Sequence, residues 1–374
     1  MTGSKPESSA QVALIVTPQY LPMLGGMERE CALLAEQFLR LGYKPIVITE
    51  QFGTDLPAEQ NEDGVKVIRI PSSAERSVVV QLRVAAALMK LLLHHRDDVA
   101  FAVVRTFTLP ALAVGLLKRL RLVSFPTLVS AETGGAEDDV VALERRPLAR
   151  MSRTLVSSND FLNGLCQANV DHMIEFGYPR QKITMIPNGI DTSPWQTTDA
   201  PASVERFLFL GRLDSNKGIF ELIEAFHNLR QQHEAIRLTF AGDGPDRDRL
   251  QRMCSELELE ASVDFVGRVA YQDLGALFAA HDALVLPSYS EGMPLSILEA
   301  AAHHRVLVAS DVGDIRRLFE GRAYICAPRD RQSLEESMQS AIDDPHPRAD
   351  YEEIIAAVSI ERVAQELVSL LHQP

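Results

Sequence analysis

The chain has 374 residues, 46% of them hydrophobic and 24% charged, with a formal net charge of −14. That length points to two domains and that composition to a folded globular protein, while the acidity argues against nucleic acid as a partner. Cys31, Cys166, Cys254 and Cys326 are scattered with no CxxC pair, so buried, reduced thiols in a cytoplasmic protein are expected.

The opening "MTGSKPESSA" is polar and lacks an apolar segment, so no export signal is expected. The apolar runs are broken by Arg, Lys or Gln well short of the ~20 residues a membrane span requires. The charge deficit is uneven. Residues 1–185 hold 20 Lys+Arg against 20 Asp+Glu, and the remainder holds 17 against 31.

In chain order, "QVALIVT" (11–17) reads as a buried strand. The helical spacing of "GGMERECALLAEQFLRLG" follows it, with Gly42 as the stop. Strand-like runs "KPIVIT", "VKVIRIP", "VAFAVVRT", "PTLVSA", "RTLVSS" and "KITMIP" come next, with helical segments between several of them. "DTSPWQTTDAPAS" (191–203) is the linker candidate. A second series then runs through "RFLFLGRL", "RLTFAG", "VDFVG", "DALVLPS", "RVLVAS" and "AYICAP". Apolar strands alternating with amphipathic helices predict parallel, doubly wound sheets, whose ligands bind beyond the carboxyl ends of the strands.

Two such strand ends carry charge. In "FLGRLDSNKGIF", Arg212 and Lys217 stand in a loop framed by Gly211 and Gly218, a candidate diphosphate clamp or else a solvated turn. In "SYSEGMPLSILEAAA", Glu291 falls in a loop and Glu299 in the helix that starts at Pro294. Glu299 lies five residues beyond Pro294, a helical rise of about 7.5 Å. The two acids would serve opposite ends of an extended ligand, with anion-binding first-turn amides between them. The alternative at this point is a loop acid and a solvated helix face. "AGDGPD" (241–246) begins as G-x-G, but Arg247 stands where a dinucleotide fingerprint wants glycine, so an oxidoreductase is a weak alternative.

"GRLDSNKG", followed about eighty residues later by "SEGMPLSILEAAA", resembles the donor site of the retaining glycosyltransferases of family 4 (group 1 glycosyltransferases, GT-B fold). "TPQYLPMLGGMERECALLAEQFLRLGYKPIVIT", "ITMIPNGID", "LTFAGDGPDRDRLQ", "VDFVGRV", "DALVLPS" and "RVLVASDVGDI" agree in order. The resemblance spans nearly the whole chain, strongest in 204–342 and weakest in 65–155. It implies an α/β protein of two Rossmann-like doubly wound domains with an interdomain cleft. Residues 1–192 would form the acceptor-side domain and 193–356 the donor domain, with a last helix of about 357–374 packing back on the first.

The resemblance also implies roles. Arg212 and Lys217, beside Gly211, would hold the donor diphosphate, Glu291 the sugar ring and Glu299 the ribose hydroxyls. Arg212, Lys217 and Glu291 would be the catalytic set. Gly242 and Arg268 would line the donor side, and the amides of Gly292, Met293, Pro294 and Leu295 would contact sugar and phosphate. Gly25 and Gly26 would let the first loop close over the diphosphate, and Asn188 with Gly189 would shape the cleft floor. No metal and no cofactor is implied, only a nucleoside-diphosphate sugar as co-substrate. "HHRDD" (94–98) reads as a solvated helix end rather than a metal site.

Two departures stand out. The family's histidine after the fourth strand is absent from "LVSAETGGAEDDV", where Glu132 or Thr133 would stand on the acceptor side with Glu137 close by. The later Gly-Gly appears as "VGDIRRL", with Asp314 for the second glycine, which bears on the sugar's identity more than on the reaction.

The expected activity is retaining transfer of a hexose-type sugar to an acceptor hydroxyl, in glycan, polysaccharide or glycolipid biosynthesis. The alternatives are an epimerase or phosphorylase of the same fold, or a non-catalytic nucleotide-sugar-binding subunit. Residues 76–121 hold eight basic residues and two acids, Asp97 and Asp98. Arg76, Arg83 and Lys90 recur every seven residues on one helix face, with Lys118, Arg119 and Arg121 further on. This patch is either an ordinary solvated face or a peripheral contact with anionic lipid at the inner membrane face, suited to a lipid-linked acceptor.

Overall fold

A computed structural model of the chain describes residues 11–23, 25–52, 56–72, 77–134, 138–193, 195, 199–344 and 351–373. In the first half the strands are β1 (Val12–Val16), β2 (Lys44–Glu50), β3 (Glu59–Glu62), β4 (Val65–Ile70), β5 (Val99–Arg105), β6 (Thr127–Ser130), β7 (Phe161–Asn163) and β8 (Ile183–Thr184). The helices between them are α1 (Gly26–Arg40), α2 (Val78–His95), α3 (Leu109–Arg119), α4 (Asp139–Glu144), α5 (Ala149–Val156) and α6 (Gln167–Glu175). The sheet order is β3-β4-β2-β1-β5-β6-β7-β8.

The second half holds α7 (Ile219–Arg230), α8 (Arg247–Glu256), α9 (Leu274–Ala279), α10 (Leu295–Ala302), α11 (Ile315–Leu318), α12 (Arg331–Asp343), α13 (Glu352–Ala357) and α14 (Ile360–Leu371). Its strands are β9 (Arg206–Leu210), β10 (Arg237–Ala241), β11 (Val263–Gly267), β12 (Ala283–Leu286), β13 (Val306–Ser310) and β14 (Tyr324–Cys326). They pair in the order β11-β10-β9-β12-β13-β14, every pair parallel. The fold is α/β, with two Rossmann-like doubly wound sheets, the second parallel throughout.

Both sheets are covered on both faces, which is why their central strands are apolar throughout. In the first, Leu14, Ile48 and Val104 face Val84, Leu88 and Val114 of α2 and α3. Ala13, Ile15 and Phe101 face Leu34 and Phe38 of α1 on the other side. α14 joins that second layer through Ile360, Val363, Ala364 and Leu367. Its start is tied to Ile190 by backbone bonds from Ile190 N to Val358 O and from Ile360 N to Ile190 O.

Two expectations are corrected. "RTLVSS" is not a strand. Its residues belong mostly to α5, where Ser152 and Val156, four apart, face inward and Arg153 forks onto Glu144 at 2.6 and 3.0 Å. The strand there is β7, which follows. The first sheet is also not wholly parallel, because the polar β3 ("EQNE") lies antiparallel on the edge against β4.

The predicted basic patch is also redistributed. Arg76 lies outside the described residues, while Arg83, Lys90, Arg119 and Arg121 are exposed. Lys118 is not a surface charge, because its ammonium sits 2.5 Å from Asp160 and donates to Phe125 O. α2 has 18 residues and a mean hydropathy of 1.4, enough by length and composition to cross a membrane, and is alone in this among the described residues. Charge-free runs miss this, since only Arg83 and Lys90 interrupt it. In the fold Val84, Leu88 and Leu92 pack on the sheet, while Val78 and Leu82 are 74% and 64% exposed.

Candidate active site

The carboxyl ends of both sheets face each other across the cleft, and the predicted residues gather there. Lys217 closes a short turn after β9, capped by Asp214, and Gly218 takes the positive φ of +67° that starts α7. Its ammonium lies 2.6 Å from Glu291 Oε1, in the loop after β12. The predicted diphosphate cation and sugar acid are therefore each other's partner in the unliganded protein. Arg212 is 69% exposed, held only loosely at 3.8 Å from Asp214. Across the cleft its charge acts on Glu28 of α1. Burial raises that carboxyl above its usual range, and its own amide and Arg212 pull the other way.

α10 starts at Leu295 with Pro294 as its cap, and Met293 and Leu295 are buried beneath the loop. One face of the helix carries Glu299, which is 1% exposed. The alternative of a solvated acid is thereby overturned. Arg29, from α1 of the first domain, forms an ion pair with Glu299 Oε1. Burial pushes the Glu299 carboxyl up to about 6, with Arg29 drawing it back down. Oε2 of Glu299 has no hydrogen-bond partner among the described residues.

The other residues predicted to line the donor side sit at the same strand ends. Gly242 has a φ of +145°, and a Cβ there would fall 1.8 Å from Gly211 O. Arg268 follows β11 and is half exposed, 3.7 Å from Asp243. Gly25 caps α1, and a Cβ added at Gly26 would lie 3.8 Å from Leu295 Cδ1 of the other domain, an ordinary contact distance.

The loop after β6 crosses directly onto the loop after β12. A Cβ on Gly134 would lie 2.6 Å from Glu291 O and 3.2 Å from Gly292 Cα, so only glycine permits this approach. Ser290 Oγ donates to Gly134 O, and Asn188 Nδ2 donates to Met293 O at 2.9 Å. Asp314, standing where the family has a second glycine, accepts from Gln167 N at 2.9 Å and so bridges the domains.

Glu132 does not point its carboxylate at a free space. It is bound with Glu30 to the buried guanidinium of Arg105, which also donates to Asn188 Oδ1 at 3.1 Å. Burial pushes Glu132 up to about 8 and raises Glu30, against the pull of Arg105. One cation cannot fully neutralise two enclosed carboxylates, so burial favours a shared proton within the cluster. Thr133 offers its carbonyl to Asn169 Nδ2 at 2.9 Å. Asp139 holds the amides of Phe107 and Glu132, and burial pushes its carboxyl up to about 7. Glu137 lies outside the described residues.

Sequence reasoning passes over Arg29, Glu30 and Arg105. The available signals are a charged triplet opening an otherwise amphipathic helix ("MERE") and a lone arginine ending an apolar strand ("FAVVR").

A cleft between two doubly wound sheets, with paired cations and acids at the strand ends of one, suits an anionic ligand that also presents hydroxyl groups. Family models cover both halves. Residues 25–189 match the glycosyl transferase 4-like domain and residues 196–357 the glycosyl transferases group 1. The chain belongs to the group 1 glycosyltransferases of GT-B fold. A glycogen synthase from Mycobacterium tuberculosis is 29% identical over 361 residues, covering 89% of this chain and 86% of that one. Among solved structures, a sucrose-phosphate synthase from Thermosynechococcus elongatus superposes with a TM-score of 0.80 at 18% identity, over 96% of this chain and 98% of its own. HepE from Anabaena, in complex with UDP and glucose, gives 0.74 at 18% identity, over 97% and 100%.

Proposed function

We propose that this glycosyltransferase moves a hexose-type sugar from a nucleoside-diphosphate sugar to an acceptor hydroxyl with retention of configuration. The observation that carries the reading is the Lys217–Glu291 pair, 2.6 Å apart at facing strand-end loops. A donor inserted there divides the pair: its diphosphate takes Lys217 and Arg212, and its sugar hydroxyls donate to Glu291. The amino-terminal end of α10 adds its amides to the phosphates. HepE, of the same fold, holds UDP and glucose, which supports a donor of this chemical type.

Charge develops on the diphosphate as the bond to the anomeric carbon breaks. Fixed cations stabilise that charge without needing a divalent ion. The acceptor oxygen attacks from the same face and its proton passes to a donor phosphate oxygen, a route suited to a site in which Glu132 is committed to Arg105. The acceptor is a glycan or lipid-linked sugar on the first-domain side, with the protein in the cytoplasm. Exposed Val78, Val79 and Leu82, with Arg83 and Lys90 on the same helix, suit a peripheral contact with anionic lipid.

Proton NMR of the first-formed product tests the reading. The anomeric coupling of the product matches that of the donor if transfer retains configuration, and an inverted coupling would exclude this mechanism.

A further inference from the structure

Glu299 and Arg29 come from different domains and form one enclosed pair. The Arg29 guanidinium also lies over the Tyr271 ring, 5.3 Å from its centroid, and the Tyr271 hydroxyl donates to Asp191 O at 2.5 Å in the crossover segment. Arg29 is therefore held by an aromatic face as well as by its partner. Buried polar atoms of both members have no hydrogen-bond partner among the described residues: Nε of Arg29 and both carboxylate oxygens of Glu299, of which Oε1 is the one ion-paired with Arg29 and Oε2 is left over. Such groups are rare in folded proteins and call for an occupant. A spare acceptor on one partner and a spare donor on the other complement a hydroxyl group, which gives one hydrogen bond and takes another.

We propose that Arg29 determines specificity for the ribose of the donor nucleotide. By reaching across the cleft it orients the Glu299 carboxylate so that Oε2 and its own Nε engage the ribose diol. The inference rests on the nucleotide-sugar reading above and adds to it a first-domain residue in the nucleotide site. Ribose recognition is then complete only when the two domains are closed. A purely structural clamp between domains would behave differently, because its loss would weaken every nucleotide alike.

Isothermal titration of the full chain distinguishes these cases. The probes are UDP and GDP, each beside its 2′,3′-dideoxy form, on wild type, Arg29→Met, Arg29→Lys, Glu299→Gln and Lys217→Ala. Hydrogen bonds to charged groups predict that the wild type favours one ribonucleotide over its dideoxy form by roughly 10- to 100-fold. That ratio falls toward unity in Arg29→Met and Glu299→Gln, and Arg29→Lys falls between, since one ammonium cannot supply the fork. Lys217→Ala weakens both forms and leaves the ratio unchanged. A wild-type ratio retained in both Arg29 variants overturns the proposal while leaving the donor site intact, as does a wild type that binds both forms equally. If the wild type binds neither UDP nor GDP, the donor-site reading itself fails. Melting temperatures without ligand identify any variant that is merely unfolded, in which case Arg29→Lys decides.

Discussion

Glu299 shows how a single carboxylate is prepared by its surroundings. Removed from water on the inner face of α10, its charged form is disfavoured, and only Arg29 counters that cost. The ionised form is the better acceptor for ribose hydroxyls, so affinity for a nucleotide sugar should rise with pH through about 6 and level off above 7. A nucleotide sugar is the right probe because its diphosphate diester does not titrate in this range. In Arg29→Met the opposing charge is gone and the midpoint should move upward. Titrations from pH 5 to 8 check this, and a flat wild-type profile would remove Glu299 from the nucleotide site. Lys217 and Glu291 make the complementary case, because each neutralises the other until a ligand separates them.

At the scale of elements, the decisive feature is backbone crossing backbone between the loop of Glu132–Gly134 and the loop of Glu291–Gly292. A Cβ on Gly134 meets a carbonyl oxygen of the other domain rather than a flexible side-chain end. Gly134→Ala should hold the cleft ajar and weaken donor binding by roughly 10-fold, in line with a ~1–3 kcal/mol overpacking cost. Small-angle scattering should give a larger radius of gyration than wild type, whereas equal values would mean the loops do not limit closure. The elements themselves were largely legible in the sequence. Buried parallel strands such as "VALIV" and "ALVL" announce themselves as short apolar runs, and the start of α10 follows from Pro294. "RTLVSS" misleads because a short apolar run carries no period, and the Arg153–Glu144 fork that commits it to helix α5 is a tertiary fact. β3 escapes because its polar residues form an edge strand. The residues predicted for the donor side stand out for a different reason: charges and glycines are conspicuous at the ends of apolar strands. Arg29 and Arg105 stay hidden as site residues because their meaning depends on Glu299 and Glu132, distant in sequence and adjacent only in the fold.

The whole molecule divides its labour between a nearly neutral first half and an acidic second half. On the first domain, α2, α3 and α5 form one outer layer, and α2 exposes Val78, Val79 and Leu82 beside Arg83. Each basic residue near anionic lipid contributes about 1 kcal/mol, so a few suffice for reversible docking of an otherwise acidic protein. Co-sedimentation with phosphatidylglycerol liposomes at low salt should bring the protein down. Phosphatidylcholine liposomes, or high salt, should largely release it. Equal and negligible sedimentation throughout would point to a soluble acceptor.

The central claim is that a nucleoside-diphosphate sugar sits between Arg212, Lys217, Glu291 and Glu299. Its most direct test is a thermal-shift screen of nucleotide sugars on the wild type and on an Arg212→Ala/Lys217→Ala double variant. At 100 times its Kd a ligand adds about 2.7 kcal/mol of stability, which is a readily measured rise in melting temperature. At least one nucleotide sugar should produce that rise in the wild type, and the double variant, folded, should lose it. A screen in which no nucleotide sugar stabilises the wild type, or in which the double variant is stabilised equally, would contradict the central claim.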